Sequence, residues 1–496
     1  MSDKLKLPSK SENFSEWYPE VLFRTMIVDK RIRDSRGFYG YPPYGAQILS
    51  LLEELFIEEL KKTGHLPIRT PSVIPETLLE IEKEHAEGFA PEVWQITHGR
   101  DNKELNIKKV LRPTGETIIY SLFSYWVRSH ADLPLKTYEV RSVFRAEPEK
   151  AIFPLMRTHE FYWIEAHDVQ QNLDGADAQV KEDIKMFENV IKNKVGLPFK
   201  RLKRPEWDKF AGALYTIAYD VPLPDGKVLQ IGTTHNLGQN FSKAFNIRYE
   251  TTNGKLEYAY QTCFGPGISR ILGAIVSVHG DELGLVLPPA IAPIQIIIIT
   301  IPKKGWDEKI KEYAKKVQNI LNKHFRTHFD ERDITPGRKY YEWEEKGVPL
   351  RIEIGSREVS NQELMLVKRY NRKKMVIKFD NCIEKINDLI KNYPQELLNF
   401  ANTKLLVDSA DDYNKMIELI NKKVHLIEIP FCDNEECINH LKDELNVKVR
   451  GVPLFEHGEK NVDECEENAA KRAGKKLCII CGKRYATRLV FIAKQY

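Results

Sequence analysis

Apolar residues recur at helical spacing in residues 45–62, GAQILSLLEELFIEELKK. Ile48, Leu52 and Leu55 fall on one helical face, and Gly64 follows as a stop signal. The next stretch, HLPIRTPSVIP, is expected to be extended and to close on Pro75. From there to about residue 287, β-rich runs such as KVLQIGTT alternate with one clear helix around ADAQVKEDIKMFENVIKNK. Strands this close in sequence, with turn residues between them, are typical of an antiparallel sheet flanked by helices.

The pattern changes after the proline-punctuated stretch LVLPPAIAP. A strand, IQIIIITI, a helix over about residues 307–325 and the strands PLRIEIG and KKMVIKF indicate a compact α/β unit. Helical patterns begin again at about residue 385. We therefore predict a multidomain α/β protein with three domains, at residues 1–287, 288–384 and 385–496.

Composition and length indicate the class of protein and the compartment in which it is expected. A length of 496 residues exceeds what one hydrophobic core supports, and a formal net charge of +4 neither requires nor excludes nucleic acid. The start, MSDKLKLPSK, lacks an apolar signal region, and the most apolar run, residues 291–302, is too short to span a bilayer. Seven cysteines, an odd number, favour a reducing compartment over a disulfide framework. A cytoplasmic protein without a membrane partner is expected.

Charged and aromatic residues alternate in residues 142–167, SVFRAEPEKAIFPLMRTHEFYWIEAH. The segment reads as two strands joined by a loop, with Arg145 and Glu147 two residues apart and expected to share one face of the first strand. Glu165 and His167 repeat that step on the returning strand. Guanidinium groups bind carboxylates and phosphates through paired hydrogen bonds, which favours a ligand site. A surface hairpin with cross-strand ion pairs is the alternative.

This segment closely resembles motif 2 of the class II aminoacyl-tRNA synthetases, and more narrowly that of the prolyl-tRNA synthetases. The runs LRPTGE (111–116) and VLQIGTTHNLGQNFSKAF resemble two further segments of that family, and FGPGISR (264–270) resembles motif 3. The helix that starts at Gly45, with its following strand, stands where the dimer-forming motif 1 is expected. The resemblance covers nearly the whole chain. It implies a class II catalytic domain, an anticodon-binding domain and a C-terminal zinc domain at the three predicted places.

The resemblance also implies the reaction: ATP-dependent activation of L-proline to prolyl-adenylate, then transfer to the 3′ end of tRNA(Pro) by a homodimer, with Mg²⁺ accompanying ATP. Arg145 and Arg270 are the implied catalytic residues. The implied ATP-binding residues are Arg145, Glu147, Arg157, Phe161, Gln230, Thr233 and Arg270. The implied proline-binding residues are Thr114, Glu116, Arg145, Trp163, Glu165, His167, Thr233 and His235.

The middle unit carries DERDITPGRKYYEWEEKGVPLRIEIGSREV, which closely resembles the anticodon-binding domain of the family. Glu344 and Arg357 occupy the positions that would read the two guanines of the proline anticodon. Arginine can donate hydrogen bonds to the acceptor edge of guanine, and a carboxylate can accept hydrogen bonds from the N–H groups of guanine. For Arg338 and Lys339, two interpretations are equally favoured: a solvated position on the surface and a contact with a tRNA phosphate.

Two cysteine pairs near the end, Cys432-x4-Cys437 and Cys478-x2-Cys481, suit one tetrahedral structural Zn²⁺. A redox Cys-x-x-Cys is the alternative. Cys465 is left as a spare thiol. This tail resembles the zinc-bearing domain of archaeal and eukaryotic-type prolyl enzymes, whose chains often finish in a tyrosine that approaches the active site, as Tyr496 would here.

Motif 3 departs from the pattern usual in members with that tail, because Pro266 lies between its two glycines. The segment between Glu165 and Gln261 is too short for the large editing insertion of many bacterial members, so we expect no clearance of mischarged alanyl-tRNA. Two rival interpretations remain open at this point. One is another class IIa synthetase, for histidine, threonine or glycine, and the other is an inactive tRNA-binding paralogue.

Overall fold

The three largest groups of buried apolar side chains organise the chain, whose structure is a computed structural model that describes residues 7–32, 34–80 and 92–496. The largest group belongs mainly to the N-terminal unit and includes Leu454, Val462 and Cys465 of the C-terminal unit; the second belongs to residues 286–397 and the third to residues 410–492. The first six residues, on which the expected absence of a signal segment partly depends, lie outside the described residues.

The N-terminal unit combines helices with a broad sheet. Its helices include α1 (Phe14–Arg24), α2 (Pro43–Lys62), α3 (Glu116–Trp126), α4 (Leu173–Glu188), α5 (Asn240–Ala244) and α6 (Ile268–His279). Its strands are β1 (Leu66–Pro67), β2 (Val73–Pro75), β3 (Gln95–His98), β4 (Glu104–Leu111), β5 (Leu135–Phe144), β6 (Glu160–Gln170), β7 (Lys200–Lys203), β8 (Tyr215–Pro222), β9 (Lys227–Gly238), β10 (Arg248–Glu250), β11 (Leu256–Tyr258) and β12 (Tyr260–Pro266).

The middle unit holds β13 (Ile296–Thr300), α7 (Asp307–Leu321), β14 (Thr327–Phe329), α8 (Pro336–Glu345), β15 (Leu350–Ile354), α9 (Ser356–Asn361), β16 (Glu363–Lys368), β17 (Lys374–Lys378) and α10 (Cys382–Asn402). The C-terminal unit holds β18 (Val407–Ser409), α11 (Tyr413–Asn421), β19 (Leu426–Phe431), α12 (Glu435–Asn439), β20 (Lys448–Pro453), α13 (Val462–Ala473) and β21 (Arg488–Gln495).

The central sheet has eleven strands in the order β1-β5-β6-β12-β9-β8-β7-β20-β21-β19-β18. The predicted strand pair is confirmed, because β5 and β6 run antiparallel with Glu139 opposite Glu165 and Thr137 opposite His167. The prediction that Arg145 and Glu147 lie on the first strand was wrong. That strand ends at Phe144, and the N–H groups of Ala146 and Glu147 then leave the ladder, donating to the carbonyls of Glu92 and Arg145.

The middle unit is a five-stranded sheet in the order β14-β13-β15-β16-β17. It docks on the N-terminal unit through a two-pronged ion pair, in which Arg369 donates to both oxygens of Asp281 at 2.6 and 2.7 Å. Arg24 forms a second bridge, 2.6 Å from Glu345. Asp281 is therefore a structural residue of this interface.

Helix α10 crosses the predicted domain boundary at residue 384. Its buried residues Cys382, Ile386, Tyr393 and Leu397 belong to the core of the middle unit. The three-part division itself stays a prediction. Among the residues that the structure describes, no helix is long and apolar enough to cross a membrane.

The C-terminal unit continues the central sheet. Strand β20 pairs antiparallel with β7, and the end of β21 pairs parallel with β9, where Gln495 lies opposite Val228. A register shift between Val449 and Gly451 lets β20 pass from one sheet segment to the next. Gly451 has a φ of 113°, and a Cβ there would lie 1.8 Å from the Lys203 carbonyl oxygen. Only glycine fits this crossing.

We expect Gly451→Ala to destabilise the chain strongly, because the new methyl group collides with main chain that cannot move without breaking the sheet. Gly458→Ala is the matched control, since Gly458 also has a positive φ of 85° but no atom within 4 Å. The free energy of unfolding of the control should fall by about 1–2 kcal/mol, which is the cost of the left-handed backbone alone. Chemical denaturation of both variants measures the difference. Equal losses would contradict the proposed crowding at Gly451.

Candidate functional site

A cavity of about 420 Å³ opens on one face of the central sheet, between β6, β9 and β12 and the end of β21. Its walls include eleven of the residues singled out from the sequence: Thr114, Glu116, Arg145, Glu147, Arg157, Trp163, Glu165, Gln230, Thr233, His235 and Arg270. Phe161 and His167 lie beside the cavity rather than on its wall. Strands, the loop between β5 and β6 and the starts of α3 and α6 therefore bring these residues to one cavity.

One end of the cavity is acidic. Glu165 accepts hydrogen bonds from Thr114 Oγ1 at 3.1 Å and from the Gly115 N–H at 3.2 Å. Burial favours the neutral acid, but Arg141, 3.2 Å away, and the neighbouring His167 and Thr114 lower the pKa of Glu165 to about 2. Its carboxylate therefore stays charged. Glu116, which also accepts from Thr114, adds a second carboxyl group.

Two histidines back the acidic end. Burial, and then the charge of His167, lower the pKa of His235 to about 3, so His235 is neutral at physiological pH. Thr216 Oγ1 lies 2.9 Å from His235 Nδ1 and fixes the ring. His167 is fully buried behind the wall, with its Nδ1 3.0 Å from Tyr120 Oη and its Nε2 3.9 Å from Glu165.

The indole of Trp163 forms an apolar wall. A Cβ on Gly265 would lie 2.7 Å from Trp163 Cζ2, and one on Gly267 would lie 3.3 Å from Cζ3. The two glycines of the motif 3 segment thus make room for this ring. Pro266 ends β12 between them.

The opposite end of the cavity is basic. Arg145 and Arg270 approach the ring of Phe161, with guanidinium carbons 5.3 and 6.0 Å from its centroid. Their hydrogen bonds go to main-chain carbonyls, from Arg145 to Pro113 and from Arg270 to Met156. Burial lowers the pKa of both groups, and the charge of Arg145 helps to lower that of Arg270 to about 10. Two half-buried cations side by side favour an anionic ligand.

Arg157 and Glu147 close the basic end. Arg157 Nε donates to Glu147 Oε2 at 2.6 Å, and the Arg157 side chain is 40% exposed. The Glu147 N–H points to His159 Nδ1 at 3.2 Å. A partly exposed guanidinium at the mouth can turn from this carboxylate to a ligand without losing its solvation.

Sequence reasoning missed a set of cavity residues contributed by distant segments. Arg204, Arg450 and Gln495 line the wall beside Gln230. None lies in a segment that the family resemblance singled out. Tyr496, expected near the active site, also lines the cavity, where it stacks on Phe153 with centroids 5.6 Å apart. Cys263 is buried and also lines the cavity.

The two anticodon candidates lie at different places in the middle unit. Glu344, at the end of α8, pairs with Arg351 at 2.6 Å in a shallow recess beside Arg369. Arg357, at the start of α9, is exposed. Lys339 is buried and donates to the Asp330 carbonyl at 2.8 Å, which makes it a structural residue.

The four predicted metal-binding cysteines come together in the C-terminal unit. The sulfur atoms of Cys432, Cys437, Cys478 and Cys481 all lie within 4.8 Å of one another. Cys465 lies apart, where its sulfur accepts from the Phe455 N–H at 3.3 Å. Four thiols from two short knuckles match the donor set of a structural zinc site.

Comparisons with protein families agree with this architecture. Residues 98–279 match the "tRNA synthetase class II core domain (G, H, P, S and T)". Residues 295–389 match an "Anticodon binding domain", and residues 413–496 match "Prolyl-tRNA synthetase, C-terminal". The description of the first match covers synthetases for several amino acids, whereas that of the third names the prolyl-tRNA synthetases alone.

Individual relatives point the same way. The proline–tRNA ligase of Thermococcus kodakarensis is 42% identical over 95% of this chain and 96% of its own. That of Thermofilum pendens is 40% identical over the full length of both chains. Prolyl-tRNA synthetase of Cryptosporidium parvum, solved with halofuginone and AMPPNP, superposes with a TM-score of 0.89 at 31% identity over all of both chains.

The Giardia lamblia prolyl-tRNA synthetase, solved with prolyl-adenylate, also superposes with a TM-score of 0.89, at 32% identity over 99% of this chain and all of its own. These matches confirm the family and the fold class expected from the motifs. They also favour proline over the other amino acids of the class II core description. The chain therefore belongs to the prolyl-tRNA synthetases, the proline–tRNA ligases among the class II aminoacyl-tRNA synthetases.

Proposed function

We propose that the cavity binds L-proline at its acidic end and ATP, with Mg²⁺, at its basic end. The observation that carries this proposal is the order of charge along one cavity: Glu165 and Glu116 at one end, and Arg145 and Arg270 at the other. A substrate with an ammonium group, a carboxylate and then a phosphate has the complementary order. Prolyl-adenylate is such a molecule.

At the acidic end, the secondary ammonium of proline donates to Glu165, Glu116 and Thr114. The pyrrolidine ring lies against Trp163, and a carboxylate beside an aromatic face suits a small apolar ring that carries a cation. Thr233 and the neutral His235 complete the pocket, and His167 lies behind Glu165, 3.9 Å from it. A neutral imidazole next to the ammonium avoids repulsion between like charges.

At the basic end, Arg145 holds the α-phosphate together with the proline carboxylate, and Arg270 holds the outer phosphates. Phe161 stacks on adenine, Glu147 accepts from its amino group, and Arg157 turns from Glu147 to the phosphates. Gln230 and Thr233 contact the nucleotide from the other side. The guanidinium groups near Phe161 then exchange contact with the ring for contact with an anion.

The chemistry follows from this placement. A carboxylate oxygen of proline attacks the α-phosphorus of ATP in line, and the bond to pyrophosphate breaks. A terminal ribose hydroxyl of tRNA(Pro) then attacks the prolyl carbonyl, and AMP leaves. Both steps depend on positioning and on neutralised charge rather than on a covalent protein intermediate. Mg²⁺ bound to the phosphates adds neutralising charge.

ATP–pyrophosphate exchange with each of the twenty amino acids tests the proposal. We expect exchange with proline, and weaker exchange with alanine or cysteine, because a difference of about one methylene separates substrates by only about 1–3 kcal/mol. Arg145→Ala should lower proline-dependent exchange by about 100- to 1000-fold, the loss expected for one charge-stabilising donor. Lys311→Ala, an exposed change on α7, is the control and should keep full exchange.

Exchange with histidine, threonine or glycine instead of proline would favour the other class IIa specificities. A folded, metal-loaded chain without exchange for any amino acid would indicate an inactive tRNA-binding paralogue. Against that second alternative, the structure keeps Arg145, Arg157 and Arg270 at one cavity.

For tRNA(Pro), we propose that Arg357 and Glu344 read the anticodon guanines. The exposure of Arg357 and the partial exposure of Glu344 support this role. Arg357→Ala should lower kcat/KM for tRNA by roughly 10- to 100-fold, the value of one bidentate base contact, and leave pyrophosphate exchange unchanged. A variant that aminoacylates normally would rule out base reading by Arg357.

We propose one structural Zn²⁺ at Cys432, Cys437, Cys478 and Cys481. When bound, the metal would cross-link the two cysteine-bearing knuckles, and it would take no part in catalysis. Cys478→Ser should reduce bound zinc from one per chain to a small fraction and lower the melting temperature, because metal binding and folding are coupled. Cys465→Ser, the spare thiol in the same unit, should retain the metal. Elemental analysis of both variants decides; equal zinc contents would contradict this ligand set.

We propose a homodimer that forms across the outer strand β1. This strand ends the central sheet, and Leu66 on it is 63% exposed. Sedimentation should give twice the chain mass of 57.6 kDa. Leu66→Lys should shift the protein toward monomer, whereas Leu477→Lys, an exposed change in the C-terminal unit, should not. A monomeric wild type would contradict the proposal.

We also propose a cytoplasmic location. All seven cysteines are free thiols in the structure, as a reducing compartment requires. Cell fractionation tests this location, and recovery in an exported or membrane fraction would contradict it.

A further inference from the structure

Asp220 joins the N-terminal and C-terminal units behind Arg204 and Arg450, which line the cavity. It lies on β8, is fully buried, and accepts from Arg204 at 2.8 and 3.2 Å. Arg450, on β20 of the C-terminal unit, donates to the same two oxygens at 2.7 and 2.9 Å. One carboxylate thus holds two guanidinium groups that lie about 250 residues apart in sequence.

The charges of this cluster are strongly coupled. Burial alone would raise the pKa of Asp220, but Arg204 and Arg450 hold it at about 2. Removing either arginine leaves a buried carboxylate with half of its hydrogen bonds. The positions of Arg204 and Arg450 therefore depend on each other. A further bond, from Arg204 Nη1 to the Arg450 carbonyl at 2.6 Å, ties the side chain of one to the main chain of the other.

Arg204 passes this constraint to Gln230. Its Nη2 donates to Gln230 Oε1 at 2.8 Å. Since a guanidinium has only donors, the amide of Gln230 must turn its oxygen toward Arg204 and its NH₂ group away from it. Both Gln230 and Arg204 line the cavity. The amide is thus fixed as a hydrogen-bond donor, the correct polarity for the acceptor atoms of a nucleotide.

We propose that Arg450 is a positioning residue for ATP: through Asp220 and Arg204, the C-terminal domain orients Gln230 in the nucleotide site. The inference rests on the proposed function, which places ATP beside Gln230. Arg450 itself holds neither substrate in this account. The C-terminal domain then affects nucleotide affinity through one chain of charge-assisted hydrogen bonds.

Arg450→Lys is the first test, because lysine keeps the charge but cannot hold Asp220 with two nitrogens. We expect KM for ATP in pyrophosphate exchange to rise about tenfold, while KM for proline stays within about twofold. Arg488→Lys is the matched control. Arg488 also lies in the C-terminal sheet and holds Asp433 and Glu466, and its change should leave both KM values unchanged.

A double-mutant cycle with Gln230→Ala separates positioning from general damage. In the Gln230→Ala background, Arg450→Lys should no longer raise KM for ATP, since the amide it orients is gone. Independent, multiplicative effects of the two changes would overturn the proposal, as would equal rises in KM for ATP and proline.

Gln495→Ala provides a second test in case the Arg450→Lys variant does not fold. Gln495 Oε1 accepts from Arg450 Nη1, so this change loosens Arg450 without altering any charge. It should raise KM for ATP about two- to threefold, and no rise would overturn the proposal. Absence of proline-dependent exchange in the wild type would instead refute the proposed function. Wild-type exchange with unchanged KM for ATP in the variants refutes only the positioning role.

Discussion

The separation of buried charge along one cavity is the constraint on which the rest of the structure depends. Carboxylates at one end and guanidinium groups at the other are costly to bury, and each is stable only with hydrogen bonds or with a charged partner. Arg141 supplies that partner for Glu165 inside the protein. For Arg145 and Arg270 the bonds go to main-chain carbonyls, so the basic end gains most from a bound anion.

The sheet provides the rigidity that this separation needs. Strand β6 carries Glu165, the loop between β5 and β6 carries Arg145 and Arg157, and the first turns of α3 and α6 carry Glu116 and Arg270. The C-terminal unit extends the same sheet. The middle unit is held by Asp281 and Arg369 at the rim of the N-terminal unit. A site fixed by main-chain pairing is preorganised, which makes its charges effective without reorganisation when the reaction occurs.

Sequence reasoning reached much of the site because the relevant residues stand in short runs with a chemical signature. Arginines and carboxylates at two-residue spacing beside aromatic residues indicate a ligand site, and β5 and β6 form the expected strand pair. The same reasoning failed at Arg145 and Glu147, since β5 ends where the N–H groups of Ala146 and Glu147 turn to acceptors outside the ladder, which side-chain alternation does not show. Local pattern carries little information on where pairing stops.

The cluster of Arg204, Asp220 and Arg450 could not be found from pattern. Its members lie in three separate strands or strand ends, and the pairing of β20 with β7 that brings them together leaves no periodic signal. Helix α10 is a similar case. Its apolar face fits any neighbouring core, and only the tertiary structure selects that of the middle unit.

The most direct test of the account is a crystal structure of the chain with a non-hydrolysable prolyl-adenylate analogue. The charge order predicts the pyrrolidine nitrogen within hydrogen-bond distance of Glu165 or Glu116, its ring against Trp163, and the phosphate mimic against Arg145. An analogue bound in the reverse direction, or outside this cavity, would contradict the account.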